Sequence, residues 1–240
     1  MSEELLPGGI RLLQDDTHLR IGADAVLLAA FCPPAERICE LGCGVGNVLL
    51  ALAGRHPSAK LTGIEIEPSA AELCRESIRL NSLEERVDVI TGDLRDTNTL
   101  GINPHSFDLI VMNPPYLRAG TVKESPNPIT NLERIDRTAP PEAVARAAST
   151  LLRQRGSICV VLRAGRLADY MAALSAEGLT PVELCLAAHT IDSPPTLALL
   201  RAEKGGSGEL NVLPTVPLSG EVYERILEGA TIQSLAEFRA

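Results

Sequence analysis

The chain has 240 residues, 45% of them hydrophobic, which suits one α/β domain with short appendages. No run of about 18 uncharged apolar residues occurs, so no membrane span is expected. The acidic start Met1-Ser2-Glu3-Glu4 lacks the basic n-region of a secretory signal, which points to the cytoplasm, and the net charge of −9 argues, as a total, against a nucleic-acid partner. The six cysteines include no C-x-x-C pair and read as reduced, buried small hydrophobes. The four histidines are scattered, so no metal site is expected.

In chain order, residues 1–36 read as a lead-in with a loop-like start. A short helix follows over 25–31, with Asp24 at its N-cap and Pro33-Pro34 as its stop. Strands are predicted at 37–41, 60–66, 87–90, 107–112 and 157–162, with helices at 46–55, 69–81, 140–153 and 166–175 between them. Two more strands fall at 182–188 and 196–201. In the 205–240 extension, a further strand over 210–216 and a helix over 221–227 are expected, packed on the same domain. This alternation implies a Rossmann-like α/β fold: a seven-stranded, mostly parallel sheet with helices on both faces, catalytic over 37–204. The single long irregular segment, 113–139, exceeds the length of an idle loop.

The stretch "ICELGCGVGNVLL" sets Gly42, Gly44 and Gly46 where a strand meets a helix, which permits a tight turn and close approach of a ligand to the backbone. The spacing is G-x-G-x-G rather than the G-x-G-x-x-G of dinucleotide sites. Glu40, just ahead of it, repels a pyrophosphate but suits an ammonium group, which favours S-adenosylmethionine over NAD. Two further acids sit at successive strand ends. Glu65, preferred over the more exposed Glu67, can accept both ribose hydroxyls. Asp93 can accept from an adenine amino group, with Leu94 against the ring.

Together these features resemble the class I S-adenosylmethionine-dependent methyltransferases. Asn113-Pro114-Pro115-Tyr116 narrows the resemblance to enzymes acting on planar amino groups, either adenine N6 or the side-chain amide of glutamine. The lead-in "HLRIGADAVLLAAF" and the late "GEVYERIL" are similar to the bacterial tRNA adenine-N6 methyltransferases that modify a valine tRNA. The resemblance implies a cofactor-binding set of Asp24, Glu40, Gly42, Cys43, Gly44, Gly46, Glu65, Ile66, Asp93, Leu94 and Asn113, and a catalytic set of Asn113, Pro114, Pro115 and Tyr116. In that reading the Asn113 side-chain oxygen and the Pro114 carbonyl accept the two amino N–H bonds, Pro115 fixes the backbone, and Tyr116 stacks on the substrate.

Between residues 113 and 166 nine basic residues face four acids, a local balance of +5. The expectation is that Arg118, Lys123, Arg134 and Arg137 meet tRNA phosphates from the long loop; the bland alternative is a solvated face. Outside Tyr116 the basic segment has no aromatic ring, so further base stacking would fall to arginine planes. Two alternatives stay open: a protein glutamine methyltransferase acting on release factors, and a non-catalytic cofactor-binding protein on the same scaffold. The substrate nucleotide and the oligomeric state are not legible.

Overall fold

The computed structural model describes residues 1–117, 120, 129, 131 and 135–237. The expected loop-like start is instead a hairpin. Strands β1 (Ser2–Leu5) and β2 (Arg11–Gln14) pair antiparallel around a turn in which Gly8 and Gly9 both adopt positive φ. The side-chain amide of Asn81 accepts from Arg11 N at 2.9 Å and donates to Arg11 O at 2.6 Å, docking the hairpin on a helix 70 residues away.

Helix α1 (Ala23–Phe31) follows, then β3 (Arg37–Leu41), α2 (Asn47–Arg55), β4 (Lys60–Glu65), α3 (Pro68–Leu80) and β5 (Val87–Thr91). After a 3₁₀ turn (Leu94–Thr99) come β6 (Phe107–Met112), α4 (Pro141–Leu151), β7 (Leu152–Arg163), α5 (Leu167–Ala176), β8 (Leu179–Ala188) and β9 (Leu197–Lys204). The helix expected to run to 153 ends at Leu151, because Leu152 already pairs with Phe107 as the first residue of β7.

The seven long strands lie in the order β5-β4-β3-β6-β7-β9-β8, parallel except for β9, which runs antiparallel to both its neighbours. Two two-residue strands, β10 (Asn211–Val212) and β11 (Val216–Pro217), pair with the outer edge of β8 and bring the sheet to nine. The expected strand over 210–216 is therefore two short pieces, split at Pro214. The central strands are apolar on both faces because both are covered. Leu109, Val111, Cys159 and Val161 pack with α1, α2 and α3; Ile110, Met112, Ile158 and Val160 pack with α4 and α5.

The C-terminal residues close one face. Helix α6 (Glu221–Leu227) matches its expected span, and α7 (Ile232–Glu237) follows it. Ile226, Ile232 and Leu235 are buried in the same core as α1. Gln233 Nε2 donates to Phe31 O at 3.1 Å and to Glu183 Oε2 at 3.0 Å.

The chain moves outward from β3 through β4 to β5, then returns to place β6 on the other side of β3. In an open parallel sheet, this reversal leaves a crevice beyond the carboxyl ends of the two central strands. Gly42 follows β3 and Asn113 follows β6, so the glycine loop and the Asn-Pro-Pro-Tyr segment meet at that crevice.

Candidate functional site

The glycine loop is held by main-chain bonds. Gly42 N and Cys43 N both donate to Ile64 O, at 2.8 and 3.1 Å, and Gly46 N donates to Cys43 O at 2.9 Å. Gly42, Gly44 and Gly46 all have positive φ, as the turn requires. Gly44 borders a cavity and has nothing within 4 Å of where a Cβ would stand, so the backbone is open to a ligand there. Gly46 does not line the cavity; it caps α2, and a side chain on it would collide with Cys74 Sγ.

Glu40 is 2% exposed, and its Oε2 has no hydrogen-bond partner among the described residues. Burial pushes its carboxyl well above the usual range, with Cys74 and Glu65 adding to the rise and a backbone bond from Leu49 opposing it. Glu65, at the end of β4, is 7% exposed. Its Oε2 accepts from Gly44 N at 2.7 Å and its Oε1 from Glu67 N at 2.8 Å. Burial raises this carboxyl as well, and those backbone donors partly offset it. Glu67, by contrast, caps α3 through Ser69 N.

Asp93 also lines the cavity, but both its oxygens engage the Arg95 guanidinium, at 2.5 to 3.0 Å. That pairing holds its carboxyl below the ordinary value. Its acceptor capacity is therefore shared, a point that strand-end position alone does not reveal. Cys43, Ile66 and Leu94 lie on the cavity wall beside it.

Asp24, Asn113 and Pro115 line the same cavity, and Pro114 and Tyr116 do not. Asp24 is not the N-cap of α1 that its place in the sequence suggests. Gly22 is the N-cap, without a side-chain bond, and Asp24 sits within the first turn. Its Oδ2 accepts instead from Tyr116 Oη at 2.5 Å and from Asn113 Nδ2 at 3.2 Å. Tyr116 Oη also lies 2.8 Å from Asn113 Oδ1. The Arg163 guanidinium sits over the Tyr116 ring, 5.5 Å from its centroid.

Several lining residues escaped the sequence reading: Leu19, Arg20, Asn47, Met112, Thr138 and Ala139. The strap carrying Leu19 and Arg20 is pinned by His18, whose ring nitrogens meet Asp15 Oδ1 at 2.9 Å and Ser69 Oγ at 3.1 Å. Asn47 Nδ2 donates to Leu19 O at 3.3 Å. Position right after the glycine loop was the one available signal for Asn47; Thr138 and Ala139 belong to no motif.

Of the expected substrate residues, Arg118, Lys123 and Arg134 lie outside the described residues, and Arg137 is exposed. The segment that holds them leaves and returns at one point, where Leu117 bridges Ile135 and Asp136 N donates to Leu117 O at 2.9 Å. The +5 segment is not one face. Arg153 and Arg155, at the far end of the sheet, pair with Asp108 and Glu203, and Arg146 pairs with Glu177. Arg166 bridges Asp136 and Asp169. Among the described residues Arg163, at the carboxyl end of β7, is the basic residue that reaches the Tyr116 ring.

An open sheet reversing at β3 and β6, with a glycine loop and acids at successive strand ends around the crevice, defines a class I methyltransferase fold. The chain belongs to the methyltransferase small domain family, whose model matches residues 18–177. A relative from Porphyromonas gingivalis named tRNA1(Val) (adenine(37)-N6)-methyltransferase is 34% identical over 163 residues, 65% of this chain and 63% of that protein. A relative of the same name from Yersinia pestis is 31% identical over 151 residues, 62% of this chain and 59% of its own. The alignments thus span about three fifths of the relatives' length. Among solved structures, a predicted O-methyltransferase, Atu636 from Agrobacterium tumefaciens, superposes with a TM-score of 0.71 at 22% identity over 87% of this chain and 97% of its own. TrmN from Thermus thermophilus does so with a TM-score of 0.54 at 19% identity, over 76% and 48%. These two likenesses concern the fold alone.

Proposed function

We propose that the protein is an S-adenosylmethionine-dependent N-methyltransferase that acts on the exocyclic N6 amino group of adenine in tRNA. The observation that carries the reading is that Glu40 and Asn113 line one cavity. A buried carboxylate with an unpartnered oxygen fits an ammonium group, and a carboxamide held by Asp24 presents an acceptor to a planar amine. The names of the relatives from Porphyromonas gingivalis and Yersinia pestis favour adenine in tRNA over glutamine in a release factor.

In this reading Glu40 holds the amino-acid ammonium of the cofactor, Gly42, Cys43 and Gly44 line its path, and Glu65 accepts from the ribose hydroxyls with the lone pairs its backbone bonds leave free. At the adenine ring, Ile66 and Leu94 supply apolar contact and Asp93 an acceptor for the amino group. When bound, S-adenosylmethionine supplies an electrophilic methyl group. An exocyclic amine is a weak nucleophile because its lone pair is delocalised. Asn113 Oδ1 and the Pro114 carbonyl accept its two N–H bonds and favour the pyramidal geometry that localises the pair. Neither Pro114 nor Pro115 has an N–H to compete for those acceptors. Tyr116 and the Arg163 guanidinium together provide the stacking surface for the base, which must first leave its own stack. Arg118, Lys123, Arg134 and Arg137 contact phosphates, which position the RNA without reading it.

Radiolabelled S-adenosylmethionine and tRNA from a strain lacking the modification test this directly. Label recovered as N6-methyladenosine, and absent with Asn113→Ala, is the expected result. Cofactor binding without label in any tRNA overturns the RNA assignment, and release-factor glutamine is then the substrate to assay.

A further inference from the structure

The α1 carboxylate of Asp24 comes from a part of the chain 89 residues before Asn113, yet both polar groups of the Asn-Pro-Pro-Tyr segment turn toward it. A carboxamide has nearly isosteric ends, and its terminal torsion is roughly two-fold. Nothing intrinsic to Asn113 decides whether oxygen or nitrogen faces the crevice. A carboxylate decides it, because an ionised Asp is an acceptor only and takes Nδ2, never Oδ1. Asp24 therefore selects the orientation in which Oδ1 is available to a donor.

Tyr116 Oη has one proton and two acceptors in reach, Asp24 Oδ2 at 2.5 Å and Asn113 Oδ1 at 2.8 Å. The charged acceptor is the closer one and makes the stronger bond. Asn113 Oδ1 is left short of donors beside a hydroxyl oxygen. An incoming N–H supplies the missing donor. The neighbourhood supports the arrangement: Asp24 Oδ1 accepts from Ala25 N at 2.9 Å, and the first turn of a helix favours a negative charge. Gly22 leaves the room, since a Cβ on it would stand 2.6 Å from Asp24 Oδ1.

We infer that Asp24 is a positioning residue for amine methylation, which fixes the Asn113 carboxamide and the Tyr116 hydroxyl in the orientation that receives the substrate amino group, rather than a ligand of the cofactor. This rests on the N-methyltransferase reading of the site. It also explains why Gly22 lies two residues before Asp24: alanine there satisfies the backbone but pushes the carboxylate away.

The test uses the full chain with Asp24→Ala, Gly22→Ala, Asn113→Ala and the Asp24→Ala/Asn113→Ala double variant. Three readouts separate the possibilities. Calorimetry of S-adenosylmethionine binding should change less than about threefold for Asp24→Ala, while kcat at saturating cofactor falls roughly 100-fold, the scale expected when a reacting geometry is lost. Gly22→Ala should give a smaller loss of the same kind. In the double variant the two losses should not add, because Asp24 acts through Asn113. The third readout is the ¹⁵N side-chain amide signal of Asn113, assigned by its disappearance in Asn113→Ala and recorded without substrate. It should exchange with water faster in Asp24→Ala. An unchanged amide signal overturns the inference, as does a tenfold or greater weakening of cofactor binding with kcat retained. Because the amide signal needs no substrate, failure of the substrate assignment is distinguishable from failure of the anchor.

Discussion

Gly44 N donates to Glu65 Oε2 at 2.7 Å, so the turn after β3, already held to Ile64 O by main-chain bonds, is tied also to the last residue of β4 by a side chain. The other oxygen of Glu65 takes Glu67 N. The same carboxylate that is suited to ribose hydroxyls thus also sets the shape of the glycine turn. Glu65→Gln replaces one acceptor by an NH₂ donor that must face a backbone N–H. The loss of one charge-assisted bond, about 1.5–3 kcal/mol, should weaken S-adenosylmethionine binding by roughly 10- to 100-fold. Titration calorimetry checks this; an unchanged Kd would remove Glu65 from both roles.

Glu40 is a buried carboxyl whose charge works against folding. Burial raises its carboxyl above an ordinary value near 4.5, so the folded chain binds this proton more tightly than the unfolded chain does. Such a group favours folding below its unfolded value, and that contribution is lost as pH rises through the folded one. Above the unfolded value, burying this carboxyl costs stability relative to a neutral side chain. Glu40→Gln should therefore melt higher than the parent at about pH 8, with the difference shrinking toward about pH 4. Each kcal/mol corresponds to about 2–4 °C in a domain of this size. The same variant should lose the rise in Tm that S-adenosylmethionine gives the parent. Thermal melts across that pH range, with and without cofactor, read both effects; a lower melting point at the alkaline end contradicts the account.

The polar residues around the crevice were legible because a buried strand is a short apolar run and a polar residue within its last two positions or just after it stands out at the carboxyl end. That logic needs only local sequence, and it finds Glu40, Glu65 and Asn113. What it misses is set by distant partners. Strand β1 is exposed along its whole length and carries no apolar alternation; it forms because its hairpin turns on Gly8 and Gly9 and docks on Asn81. Asp24 looks like a helix cap until residues 113 and 116 claim its carboxylate. The basic segment looks like one surface, but β7 carries Arg153 and Arg155 at one end and Arg163 at the other, with the length of the strand between them. A charge count over the segment lumps the two ends of that strand together, although only its carboxyl end lies on the crevice side of the sheet.

Arg163 is accordingly the basic side chain in β7 whose loss should affect catalysis. Its guanidinium lies on the Tyr116 ring, a contact worth about 0.5–1 kcal/mol at an exposed site. Arg163→Gln should reduce kcat/KM for tRNA about two- to fivefold through the ring alone. If the guanidinium also meets a phosphate, the salt dependence of RNA binding should fall by about one unit of slope. Arg153→Gln, at the far end of β7, serves as the control and should leave the salt slope unchanged. Equal effects of the two variants would place the RNA elsewhere.

At the end of the molecule away from the crevice, the C-terminal helices are anchored by one side chain. Arg55 closes α2, and its guanidinium donates to Ile226 O at 2.7 Å, Gly229 O at 3.1 Å and Ala230 O at 3.2 Å. These are carbonyls at and just beyond the end of α6, where helical carbonyls lack partners and a cation is favourable. One side chain thus ties the C-terminal residues to the helix that begins at the glycine loop. Arg55→Leu keeps the apolar stem but removes the donor that these three carbonyls share. A loss of about 2–3 kcal/mol is expected, a fall in Tm of roughly 5–10 °C. The glycine-rich turn at 205–208 should become a faster site of limited proteolysis as the residues after it detach. Cofactor affinity should stay within a few-fold of the parent, because nine residues of helix, about 13 Å, separate Arg55 from Asn47. A variant that loses cofactor binding while resisting the protease would mean that α2 passes the disturbance to the crevice instead of releasing the C-terminal helices.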